Sequence, residues 1–123
     1  MHASASDPRQ FEVAGVAGRV FRLERVVDGE AAERFEKATR AALDDGVRYF
    51  IFDFNGAEHI SSGLLRLLVS LRKTVRELGE GSVEVASMPS SFRERVFEAL
   101  GFSMLFTIHA SVEEALREIG AEV

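Results

Sequence analysis

The run VRYFIFDF, residues 47–54, constrains the fold more than any other stretch of this chain. Successive strand residues point to opposite faces, and here both alternating sets are almost wholly apolar or aromatic. A strand of this kind has to be covered on both sides, which favours a parallel sheet between helices over a one-sided meander. The flanking sequence supplies those helices. AAERFEKATRAALDDG, from Ala31, places Ala31, Phe35, Ala38, Ala42 and Leu43 near one face. After Ser61-Ser62, a second helix carries Leu64, Leu67, Leu68, Leu71, Val75 and Leu78 on one side, with Arg66, Lys73 and Glu77 opposite.

The remaining segments complete the alternation. FEVAGVAGRVFRLE reads as two short strands with a turn near Ala17-Gly18. Asp28 stands where a carboxylate would cap the first helix. Gly79 and Gly81 stop the second helix, and SVEVASM follows as a strand. SSFRERVFEALG predicts a capped helix closed by Gly101, LFTIH a last strand, and SVEEALREIG a final helix with Ser111 and Glu114 in capping-box spacing. The expected order is β-β-α-β-α-β-α-β-α. It describes an α/β domain with a mixed sheet, its later strands parallel, and about four helices packed on it. Residues 1–9, small and polar, read as a disordered lead-in to a domain spanning 10–123.

Composition removes several function classes. There is no cysteine, hence no disulfide, zinc-thiolate site or thiol nucleophile. The formal charge of −5 suits neither phosphate backbones nor anionic lipid. The most apolar run, LLRLLVSL, is eight residues long and contains Arg66, too short for a membrane span. MHASASDPRQ lacks signal-peptide order, so the expected location is the cytoplasm. His2, His59 and His109 are far apart and lack i, i+4 spacing, so no metal site is expected, and no P-loop form occurs. No cofactor is expected either.

The chemistry therefore concentrates on EHISSGLLRLL, residues 58–68. One of the two serines should cap the helix that follows. A nucleophile elbow is a poor fit, because His59-Ile60-Ser61-Ser62-Gly63 lacks the first glycine of G-x-S-x-G. A receiver-type phosphoacceptor at Asp53 would need an acidic pair and a lysine that FEVAGVAG and LFTIHAS do not supply. Asp53 is expected instead to accept hydrogen bonds beside the loop. Phosphorylation fits better: a phosphate at a helix start meets free N–H groups and the positive end of the helix dipole. A partner docked there would face roughly −1.5 to −2 of new charge.

Three segments carry a resemblance. FDFNGAEHISSGLLRLLVSLRKTVRELG resembles the core motif of STAS domains, the family of bacterial anti-sigma factor antagonists. RVVDGEAAERFEKA is similar to the family's L-D-x-x-x-A-x-x-F segment, and ALGFSMLFTIHASVEEAL to its closing segment. The resemblance implies a non-enzymatic binding switch with no catalytic residue. It would bind an anti-sigma factor or related serine kinase, be released by serine phosphorylation, and be reset by a serine phosphatase. A gapless alignment from Asp53 places Ser62 on the phosphoacceptor; a loop one residue shorter would place Ser61 there. The implied partner surface comprises Asp28, His59, Ser61, Ser62, Gly63, Leu64 and Arg66. A non-phosphorylated scaffold in a sensory or transport complex is the alternative the family allows. Whether the domain is a monomer or a weak dimer stays open; Phe92, Phe97, Phe102 and Leu105 could serve either a contact surface or the core.

Overall fold

The computed structural model describes residues 9–122. The expected lead-in lies outside that range except for Arg9, which opens the first strand. β1 (Arg9–Val13) and β2 (Val16–Arg22) form an antiparallel hairpin. The chain reverses at Ala14-Gly15, with φ of 50° and 84°, and not at Ala17-Gly18. Two positive φ values in a two-residue turn match the twist of the strands they join. Gly18 lies inside β2 opposite Phe11, whose ring occupies the space a Cβ would need. That glycine marks a close approach within the sheet, where the sequence pattern suggests a turn.

β2 pairs in parallel with β4 (Tyr49–Asp53), β4 with β6 (Ser82–Ala86), and β6 with β7 (Ile108–His109). The sheet order is β1-β2-β4-β6-β7, the mixed sheet with parallel later strands that the alternation implies. Both faces of β4 are covered. Phe50 and Phe52 join Leu64, Leu68, Leu71 and Val75 in a core beneath α1 (Gly29–Asp44) and α2 (Ser62–Glu77). Ile51, on the other face, packs with Val112, Ala115 and Leu116 of α4 (Val112–Glu118). Phe21 stacks on both Phe50 and Phe52, with centroids 5.9 and 5.5 Å away. Each such ring contributes about 1.5–3 kcal/mol by leaving water.

Several expectations need correction. In α2, Leu65 is buried while Leu78, at the C-cap, is 49% exposed; the apolar stripe ends a turn earlier than the leucines do. The segment after β6 is not one capped α-helix. Pro89 occupies the N-cap of a single turn, α3 (Ser90–Phe92), without a side-chain bond, and Arg93–Glu98 continues as π-helix. Phe97 ends fully buried, its ring meeting Phe54, Phe102 and Phe106 at 6.2, 5.5 and 6.1 Å. It is core, Phe92 and Phe102 are half-buried, and only Leu105 of that group is exposed. LFTIH contributes only the two residues of β7.

Two strands were not anticipated. β3 (Val26–Val27) and β5 (His59–Ile60) pair in parallel as a ribbon separate from the main sheet. At the sheet's β1 edge, Glu122 bridges Glu12, its N–H donating to the Glu12 carbonyl at 2.7 Å. Among the described residues no helix is long and apolar enough to cross a membrane.

Candidate functional site

The β3–β5 ribbon sets the geometry of the site. Each of its strands runs directly into a helix, β3 into α1 and β5 into α2, so the two helix N-termini stand side by side. The N–H of Ser61 donates to the Val27 carbonyl at 2.8 Å, fixing the register between the two N-termini. Beyond the ribbon, Gly63 of α2 faces Ala32 of α1. A Cβ there would sit in van der Waals contact, 3.4 Å from the Ala32 methyl and 3.5 Å from Ser61 Oγ, leaving little room for a branched side chain against α1.

The two N-termini are finished differently. Asp28 caps α1: its Oδ1 accepts from the Ala31 N–H at 2.9 Å, as expected from its position. Ser61 holds the N-cap position of α2, in extended backbone conformation, but its hydroxyl makes no cap bond. Its Oγ is buried with no partner among the described residues. The expectation that a serine hydroxyl caps this helix is therefore corrected. The Leu64 N–H donates to the Ser61 carbonyl at 3.2 Å, but no side chain caps the first turn of α2 among the described residues.

Ser62, the first residue of α2, is exposed. A groove of about 480 Å³ runs from it between the helices, walled by Ala32, Glu33 and Glu36 of α1 and by Gly63, Arg66 and Ser70 of α2. His59 is exposed on β5 and Arg66 exposed one turn into α2. Leu64 differs from the rest of the expected surface. It is fully buried against the sheet, because it faces the opposite side of the helix from Ser62, and it cannot meet a partner. Of the other basic residues of α2, Lys73 and Arg76 are exposed, whereas Arg72 is half-buried and donates to the Leu105 carbonyl at 2.9 Å.

Gly29, Ala32 and Glu33 also line this groove and were not anticipated. The signal for them was present: small residues at the start of α1 permit a neighbour to approach. Asp53 lies elsewhere, beside a depression of about 660 Å³ at the carboxyl ends of β2 and β4. Its Oδ1 accepts from the Asn55 N–H at 2.9 Å, the local hydrogen bond expected of it.

The STAS domain family model matches residues 10–115 of the chain. A Bordetella bronchiseptica protein, BtrV, provisionally named an anti-sigma factor antagonist, is 32% identical over 93 residues, covering 76% of this chain and 78% of BtrV. Among solved structures, the Thermotoga maritima protein TM1081, provisionally an anti-sigma factor antagonist, superposes with a TM-score of 0.75 at 21% identity, over 89% of this chain and 92% of that one. The anti-sigma factor antagonist SpoIIAA in its unphosphorylated form gives 0.73 at 20% identity, over 89% and 94%. The same fold is matched by the Bacillus SpoIIAA in its phosphorylated form, at a TM-score of 0.68 and 21% identity, over 89% and 97%.

Proposed function

The chain belongs to the STAS domain family, and from that premise we propose that it is a cytoplasmic partner switch of the anti-sigma factor antagonist kind. It binds an anti-sigma factor or related serine kinase through the paired helix starts: Asp28, His59, Ser61, Ser62, Gly63 and Arg66, with the groove between α1 and α2. Phosphorylation of Ser62 releases that partner, freeing it to act on its sigma factor, and a serine phosphatase restores the binding form.

One observation carries the reading. The hydroxyl at the exposed start of α2 belongs to Ser62, and the helix turn behind it lacks a side-chain cap. A phosphoryl group on Ser62 would meet a first helical turn that no side chain caps and the positive end of the dipole, so the folded domain accepts it. Arg66, four residues on, is within helical reach of the same group. Ser61 is the weaker acceptor, because its oxygen is buried. A docked partner gains nothing comparable. It would have to desolvate a dianion at a surface whose groove already holds Glu33 and Glu36.

The test is to incubate the protein with ATP and its cognate kinase and to locate phosphate by mass spectrometry. Phosphate is expected on Ser62. None on either serine would overturn the switch and leave a constitutive scaffold as the function of this surface.

A further inference from the structure

A second cluster of chemical groups lies on the other face of the sheet. His109 closes β7 with its side chain only 3% exposed. Its Nε2 lies 2.8 Å from Glu84 Oε1 on β6, and that carboxylate, 13% exposed, is the acceptor that fixes the ring's proton on Nε2. In the neutral ring, Nδ1 then carries a lone pair. It points at another acceptor, Glu118 Oε1, at 3.5 Å. That separation exceeds the 2.7–3.2 Å range of an N–H···O hydrogen bond. A ring nitrogen of His109, a carboxylate oxygen of Glu114 and one of Glu118 all lie within 4.8 Å of one another.

We infer that His109 Nδ1, Glu114 and Glu118 form a binding site for a zinc-like divalent cation, with Glu84 as the outer carboxylate that orients the imidazole. Zinc bonds to nitrogen and oxygen are about 2.0–2.1 Å, which at a tetrahedral angle separates two ligand atoms by about 3.4 Å. The observed gap between Nδ1 and Glu118 matches that spacing. Glu114 and Glu118 are one helical turn apart on α4, so both carboxylates face the same side. Glu114 is free for this role: its N–H donates to Ser111 Oγ at 3.0 Å, while its carboxylate makes no hydrogen bond among the described residues. A buried imidazole held by one carboxylate and presenting its other nitrogen to a cation is the usual construction of a histidine metal ligand. Imidazole with two carboxylates favours zinc or a neighbouring transition ion over magnesium or calcium. Paired histidines, the pattern by which a sequence announces such a site, are absent. The ligands here come from a strand end and a helix, oriented by a third segment.

The test is calorimetric titration of the full chain with Zn²⁺ at neutral pH, in a background carrying His2→Ala and His59→Ala so that His109 is the remaining histidine. One equivalent is expected to bind and to raise the thermal midpoint. Glu118→Gln and Glu114→Gln, both near-isosteric replacements of carboxylates on α4, are each expected to weaken binding roughly tenfold or more while circular dichroism stays unchanged. Zinc affinity indifferent to both substitutions would overturn the site. Failure to bind an equivalent would do the same and leave Glu84, His109 and Glu118 as a structural polar cluster.

Discussion

The N–H of Ser61 donates to the carbonyl of Val27 at 2.8 Å, and through that bond the start of α2 is tied to the start of α1. The residue that follows Val27 is the α1 cap, and the residue that follows Ser61 is the proposed phosphoacceptor. Any partner that reads one helix start therefore reads both.

Ser62→Asp is expected to weaken partner binding at least tenfold, a change of about 1.4 kcal/mol, by placing permanent charge on the docking surface. The fold should lose no more than about 1 kcal/mol, since an acidic side chain suits a helix start. Binding by surface plasmon resonance and urea denaturation together check this; undiminished binding would rule out electrostatic release.

Asp28→Ala removes the Ala31 cap bond and is expected to cost about 1 kcal/mol, lowering the melting temperature by about 4 °C. Thermal denaturation followed by circular dichroism measures it.

Ser61→Ala should behave unlike an ordinary cap substitution. The hydroxyl has no partner to lose, so the change is expected to be neutral or to stabilise by up to about 1 kcal/mol as an unsatisfied buried oxygen disappears. Phosphorylation at Ser62 should persist in this variant. A clear destabilisation would show that the oxygen is hydrogen-bonded in solution.

Gly63→Val is expected to push α1 from α2, at about 1–3 kcal/mol, because the new branches would crowd Ala32 and Ser61. The groove narrows at the same time, so partner affinity should fall by more than the stability change alone explains. Chemical denaturation and binding of the same sample separate the two effects.

Phe52→Ala is expected to cost about 3–5 kcal/mol. Phe52 is fully buried and stacked on Phe21, and the loss would consume much of a stability of about 5–15 kcal/mol. Urea denaturation reads this directly.

What was legible in the sequence was what local chemistry decides. VRYFIFDF announced a strand covered on both faces, and Asp28 and Ser111 announced helix caps, because each signal sits within a few residues of its consequence. What was not legible depends on partners distant in sequence. β3 and β5 are two residues each, too short to show a period, and exist because each is the other's neighbour. Gly18 has the look of a turn residue, and only the fold brings Phe11 across it. Leu64 lies only two residues beyond Ser62, yet two steps along a helix carry it to the core. Ser61 has the residue type and backbone of a cap but turns its oxygen inward, a choice of rotamer that no sequence pattern specifies.

The sheet's two borders are both poor templates for an incoming strand. β7 exposes only two residues, and along β1 the Glu122 backbone already occupies the Glu12 position while Arg9, Gln10 and Glu12 keep the margin polar. Among the described residues, an incoming strand thus meets only a short border or a polar, partly occupied one. That leaves the helical side, where the proposed phosphoryl switch would act, as the surface for recruitment.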